Sequence, residues 1–346
     1  LRDGGLNHRF AQVPSSRTEG VVMLLHNRAH AAPPLEDLNN GSGHSPTHKR
    51  SSLRNRFEAI LPKLVLSPTL IITLIFVYGF IIWTTVLSFT RSRAFANFHW
   101  AGVLQYSRVW EHPRWHVAIG NLGIYATLYV VLCMSIGLGL AILLDQRIRA
   151  EGGLRALFLY PMALSFIVTG TAWKWILNPG LGLTKLFHDW GWTSFQFNWI
   201  IDDDMAIYTV VIAAVWQASG FVMAMFLAGL RGIDQEQVKA ASIDGARMPA
   251  IYRRVIIPQL RPVFVSAFVI LVHLAVKSYE LVIALTGAGP GYSTELPSTF
   301  MYSFTFTRNE LGMGAASAVM MLCTVAAIMV PYLYSEMRPR RKSGGH

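Results

Sequence analysis

The feature that most limits what this chain can fold into is a set of six long apolar runs that carry almost no charge. They cover about residues 64–90, 118–144, 156–177, 205–230, 262–286 and 311–335. A helix needs about 20 apolar residues to cross the hydrocarbon layer of a bilayer. Each run reaches that length, and polar breaks separate them. One such run fits the core of a large soluble protein, but six within 346 residues do not. Charged residues make up only 14% of the chain, against about 25% in ordinary soluble domains. A chain this apolar would collapse rather than stay disordered. The two cysteines, Cys133 and Cys323, lie inside apolar runs, which excludes a disulfide scaffold. The first run begins too far into the chain, and is too long, to be a signal peptide. The expected fold is an all-α polytopic membrane protein with six transmembrane helices.

The location of the net charge of +11 orients those helices. Nine Lys and Arg lie in the first 63 residues, three in 145–155, six in 231–261 and four in 338–342. If the runs cross alternately, these 22 fall on one side, and the other eight fall on the opposite side or within the runs. The positive-inside rule then places both termini and the 231–261 loop in the cytoplasm. Basic residues also suit nucleic acid, but here they are dispersed at run ends without interleaved aromatics, so no nucleic-acid partner is expected. Trp100, Trp110, Trp115, Trp190, Trp192 and Trp199 fall in the opposite loops or at run edges, where amphipathic rings prefer the headgroup level.

Residues 60–335 are thus expected to form the transmembrane domain, with a poorly ordered cytoplasmic tail over 1–55 and a second tail over 336–346. The first methionine is Met23, and no chemistry is assigned to the residues before it. Neither the histidines nor the two cysteines show ligand spacing, so no metal site is expected.

The 231–261 loop is too regular to be a linker. Asp234 can cap a helix that starts at Gln235. Asp244-Gly245 then breaks it, and Ala246–Ile256 reads as a second short helix beginning near Pro249. Such a hairpin fits two roles: a docking platform whose small residues, Ala240 and Ala241, admit a partner, or an amphipathic device lying on lipid.

This stretch resembles the "EAA" loop of permease subunits of binding-protein-dependent ABC importers. That motif runs Glu-Ala-Ala, three residues, Gly, nine residues, Ile-x-Leu-Pro. Here Lys239-Ala240-Ala241 is followed by Gly245 and then Val255-Ile256-Ile257-Pro258 at the same spacing. Lys239 stands where the family has Glu. The resemblance then implies either docking through Asp244, Arg247 and the small residues instead, or a partner that differs in charge. Tyr160-Pro161-Met162-Ala163-Leu164 with Trp173 and Asn178-Pro179-Gly180-Leu181-Gly182 resembles the carbohydrate, maltose-type branch of these permeases. So does Leu285-Thr286-Gly287-Ala288-Gly289-Pro290-Gly291 with Thr294-Glu295-Leu296 and Met301-Tyr302. The 290–307 region leans toward glucose or mannose importers.

The resemblance implies a bacterial inner-membrane subunit that is not an enzyme. It implies a second homologous permease, two ATP-binding cassette ATPases, a periplasmic or lipid-tethered solute-binding protein, a sugar substrate and membrane lipid as partners. No cofactor is expected on this chain; ATP and Mg are used by the partner ATPase, and no phosphate-binding glycine loop of the GxxxxGK[ST] type occurs here.

Within the runs, Lys277 and Glu280 are the conspicuous polar groups. Ionisable residues at membrane depth face a bundle interior or an aqueous cavity. Their i,i+3 spacing puts them near one helix face, and two readings remain for them: mutual neutralisation, or lining a sugar route, with Tyr279 between them available to stack a ring. Trp216 and Gln217 pair an aromatic with an amide, which suits a sugar and equally suits helix–helix contact. Asn121 reads as a structural interhelical hydrogen bond. The alternatives are a secondary transporter driven by an ion gradient, which would show paired repeats or a carboxylate relay, and a membrane scaffold that does not transport.

Overall fold

The computed structural model describes residues 63, 66–146 and 149–337, the last three as backbone only. The expected tail over 1–55 therefore lies outside the described residues, as does that over 336–346 except for Glu336 and Met337, which continue the last helix. The chain divides into a unit of Leu1–Ser67, almost wholly outside the described residues, and a unit of Pro68–His346 that carries the helices described below.

In chain order the helices are α1 (Leu66–Ser88), α2 (Leu104–Trp110), α3 (Pro113–Asp145), α4 (Glu151–Ala163), α5 (Phe166–Ile176) and α6 (Leu183–Asp189). Then come α7 (Ala206–Arg231), α8 (Gln235–Ile243), α9 (Met248–Gln259), α10 (Arg261–Lys277), α11 (Glu280–Leu285), α12 (Pro297–Tyr302) and α13 (Leu311–Met337). Four of them, α1, α3, α7 and α13, are long and apolar enough to cross a membrane alone. The pairs α4–α5 and α9–α10, bent by 99° and 65°, bring the crossings to as many as six.

The α4–α5 bend and a further break after α10 are each satisfied by a side chain from another helix. Between α4 and α5, Leu164 and Ser165 are extended, with ψ of 144° and 143°. The freed Leu164 carbonyl accepts a hydrogen bond from Gln217 Nε2 at 2.9 Å. The run expected over 262–286 is also interrupted: α10 stops at Lys277 and α11 starts at Glu280. There the Ser278 carbonyl accepts from the Ser298 hydroxyl. Non-helical backbone at membrane depth survives only where protein or a cavity satisfies it, and both breaks meet that condition.

α7 is the central helix: 67% of its apolar stretch is buried, against 6% for α1. Its most extensive packing is against α3. A Cβ on Gly137 of α3 would lie 2.7 Å from Val222 Cγ1 of α7, so the glycine allows this close approach. On another side Gly220 of α7 rests directly against the Phe158 carbonyl of α4. Met223, Phe226 and Leu227 of α7, with Cys133 and Tyr129 of α3, belong to the main buried core. A smaller cluster of Val109, Trp115, Phe300, Phe304, Met313 and Ala316 joins α2, α3, α12 and α13.

Candidate functional site

Two places carry the polar chemistry singled out by the sequence. The first is the 231–261 loop, where α7 ends and α10 begins. Asp234 caps α8 by accepting from the Glu236 N–H at 2.9 Å. At the other end Gly245 sits at φ +79°, in the left-handed region. The Ala246 N–H bonds the Ala241 carbonyl and the Gly245 N–H bonds the Ser242 carbonyl, both at 3.1 Å. This double closure requires a residue that tolerates positive φ, which is why glycine stands there.

The hairpin is held from below. Ile251, Ile256 and Leu260 are buried, and Gln259 Nε2 bonds Gln237 Oε1 at 2.9 Å, tying α9 to α8. Lys239, Ala240, Asp244, Gly245 and Arg247 are exposed, Ala241 is half-buried, and Pro258 is half-buried at the bend. The Arg231 guanidinium pairs with Glu151, joining the end of α7 to the start of α4. The sequence reading missed Ile243, which is 85% exposed at the tip, and Met248 beside it at 52%. The signal for Ile243 was present: an apolar residue that follows the small pair and precedes the glycine turn has no core to enter.

The second place is a cavity of about 150 Å³ at the α10–α11 break. Tyr125 and Tyr129 of α3, stacked at 5.5 Å, and Phe166 of α5 contribute its aromatic wall. Lys277, Ser278 and Glu280 contribute its polar rim. The Tyr125 hydroxyl donates to Ser278 Oγ at 3.3 Å. Lys277 and Glu280 share the cavity although they belong to different helices, so helical spacing is not what brings them together. They form no ion pair with each other among the described residues. Such a site offers ring faces on one side and hydrogen-bonding groups on the other.

The other residues picked from sequence lie elsewhere. Tyr279 packs on Tyr302 with ring centres 4.7 Å apart. Trp216 meets Trp173 edge-on at 5.9 Å, and both line an apolar groove of about 690 Å³ with Tyr160 and Pro161. Gln217 is buried and holds the α4–α5 break, while its Oε1 and the Thr169 hydroxyl have no partner among the described residues.

At the bundle end where α3 begins, the sequence reading missed a buried charge pair. Arg114 Nε donates to Glu295 Oε2 at 2.9 Å, and its guanidinium lies over the Tyr292 ring at 4.0 Å. Asn121 donates to the Ser293 and Glu295 carbonyls at 2.9 and 3.0 Å, so it anchors a loop rather than a second helix. His112 caps α3 through Nδ1, which accepts from the Arg114 N–H at 3.2 Å. Partial burial, and then the Arg114 guanidinium, hold this imidazole below its usual pKa range.

Comparison with known proteins gives these places a context. The profile of the family described as binding-protein-dependent transport system inner membrane component matches residues 134–339. A probable ABC transporter permease protein of Pyrococcus horikoshii is 39% identical over 273 residues, covering 78% of this chain and 94% of the relative. The xylose/arabinose import permease protein XacH of Haloferax volcanii is 36% identical over 61% of this chain and 66% of its own. The trehalose/maltose transport system permease protein MalF of Thermococcus litoralis is 29% identical over 82% of this chain and 95% of its own. In fold, the chain is similar to a bacterial ABC transporter involved in alginate import, with a TM-score of 0.72 at 17% identity, covering 84% of this chain and 99% of that one. The chain belongs to the family of binding-protein-dependent transport system inner membrane components: it is a multi-pass permease subunit of an ABC-type importer, a transport component and not an enzyme.

Proposed function

We propose that this permease forms half of a sugar translocation pathway, together with a second homologous permease. Two ATP-binding cassette ATPases dock on the cytoplasmic loops of the permease pair, here through residues 234–258, and a solute-binding protein delivers sugar at the opposite end. The observation that carries the sugar reading is the cavity at the α10–α11 break. A sugar has apolar ring faces and hydroxyl edges. Tyr125, Tyr129 and Phe166 suit the faces, while Lys277, Ser278 and Glu280 suit the edges. Relatives named for xylose/arabinose and trehalose/maltose transport support the same class. The finer reading is a monosaccharide of glucose or mannose type, or a small oligosaccharide. Tyr279, Trp216 and Gln217 shape the route by holding Tyr302, Trp173 and the Leu164 carbonyl.

Coupling runs through α8. Closure of the ATPase pair on ATP pushes this helix and opens the cavity away from the loop, and hydrolysis resets it. Lys239, Ala240, Ala241, Asp244, Gly245 and Arg247, with Ile243 at the tip, form the docking face, and Pro258 sets the bend behind it. The 22 Lys and Arg on the loop side support placing that side, with both termini, in the cytoplasm. The family assignment gives no support to an ion-gradient mechanism.

The test is ligand binding by the purified cognate binding protein across a panel of sugars, amino acids and phosphate esters. A neutral sugar bound in preference to the others supports the assignment. Binding confined to amino acids or phosphate esters sinks it.

A further inference from the structure

Beyond α1 the chain folds back on itself. Thr90 pairs with Trp100, the Arg91 N–H bonds the His99 carbonyl at 3.1 Å, and the Ala101 N–H bonds the Phe89 carbonyl at 2.7 Å. Phe89 stacks on Trp100 with ring centres 5.4 Å apart. The hairpin pushes large rings outward: Phe95 is 86% exposed, Trp100 71% and Phe98 59%. A Trp at the end of a spanning helix, here Trp100, marks the level of lipid headgroups.

Beside these rings lies a pocket of about 300 Å³. Arg91 and Arg93 enter it from the hairpin, Arg108 from α2 and Glu310 from the start of α13, with Leu104 and Met313 as its apolar wall. Arg108 is neutralised by Glu310 at 2.8 Å. Arg91 and Arg93 have no carboxylate within ion-pair distance among the described residues. Arg91 and Arg93 are exposed, and two guanidinium groups without a carboxylate partner among the described residues, beside an apolar wall, fit a ligand with anionic oxygens at one end and hydrocarbon at the other. Guanidinium binds phosphate oxygens two at a time, and its planar fork suits a phosphodiester better than an ammonium does.

We propose that Arg91 and Arg93 form a binding site for the phosphate of a membrane phospholipid, with an anionic headgroup preferred and Arg108, held by Glu310 and Gln105, closing its far wall. A free phosphate shares the chemistry at the arginines, but it gives no role to Leu104, Met313 or the three exposed rings. The bound lipid bridges the end of α1 to α2 and α13. It adds to a join the protein already makes there, where Gln105 Nε2 bonds the Thr90 carbonyl at 2.8 Å and the Gly312 N–H bonds the Ser92 carbonyl at 2.9 Å.

The test uses the full chain with its co-purifying partners in nanodiscs of phosphatidylcholine doped with phosphatidylglycerol. Phosphatidylglycerol retained after detergent extraction is counted by native mass spectrometry. Wild type is expected to retain it, and the R91Q/R93Q variant to retain on the order of tenfold less. R91K/R93K should fall between them, because an ammonium keeps the charge but loses the fork. Lys185→Gln, which removes a charge outside the pocket, should match wild type. If the double glutamine variant does not fold, the single Arg93→Gln carries the same reading with a smaller loss. Retention by the glutamine variants equal to wild type overturns the proposal. So does displacement of the lipid by inorganic phosphate alone, which would make this a free-phosphate site.

Discussion

Arg114, at the second position of α3, and Glu295, fully buried 181 positions later, form a two-pronged ion pair that ties the start of α3 to the loop before α12. Removing one partner of such a pair leaves a buried charge uncompensated, at a cost of about 3 kcal/mol or more. Glu295→Ala should therefore destabilise the purified chain strongly. The R114A/E295A double variant should lose less than the two single variants together, because it strands no charge. Thermal unfolding of all four chains as a double-mutant cycle checks this; additive losses would contradict it.

His112 should make the same region sensitive to acid. Its Nδ1 accepts the capping hydrogen bond only while the ring is neutral. Burial and the Arg114, Arg308 and Arg108 charges lower its pKa, and Glu310 opposes them. The folded value lies below the ordinary 6.5, so the unfolded chain takes up the proton first as pH falls. The stabilisation is complete above the unfolded value and is lost as pH drops through the folded one. Melting temperature against pH should fall in that window for wild type and stay flatter for His112→Asn, which keeps a capping acceptor without the titration.

The α4–α7 contact predicts a contrast between two glycines. A Cβ on Gly220 would collide with the Phe158 backbone carbonyl, whereas one on Gly123 meets nothing within 4 Å. Gly220→Ala must move a helix backbone and should lower folded yield and melting temperature. Gly123→Ala should be neutral or stabilising by about 0.5–1 kcal/mol, through helix propensity alone. Equal effects in the two variants would refute the close contact.

The loop makes a prediction about assembly. Gly245→Ala places a Cβ at φ +79° and should cost about 1 kcal/mol locally. Ile243→Asp leaves the backbone closure intact but puts a charge on the exposed tip. Both should reduce co-purification of the ATPase subunit, Ile243→Asp without lowering the melting temperature of the chain. Undiminished association in Ile243→Asp would remove α8 from the docking face.

The crossings and the loop were legible in the sequence for physical reasons. A bilayer demands long uncharged runs, and nothing else in a chain of this size needs six of them. The Asp234 cap and the Gly245 turn are local signals that tertiary contacts did not override. The breaks were not legible. Pro161 alone does not end a packed membrane helix, and the bend after Ala163 depends on Gln217, which comes from another helix. The break at Ser278 depends on Ser298, twenty positions away. Lys277 and Glu280 were found as polar residues at membrane depth, but Tyr125, Tyr129 and Phe166 were not found as their neighbours. Those rings look like ordinary apolar span residues until the fold gathers them. Arg114 and Glu295 gave no sign of each other across so long a stretch of chain.

The central claim is that ATP drives a sugar through the cavity at the α10–α11 break. Its most direct test is uptake of labelled sugar into proteoliposomes carrying the assembled complex, with wild type compared to the K277M/E280Q variant. Wild type should import sugar only with the binding protein outside and ATP inside, and the variant should lose most of that import while still retaining its ATPase subunits. Import driven by an ion gradient without ATP, or import by the variant at the wild-type rate, would contradict the account.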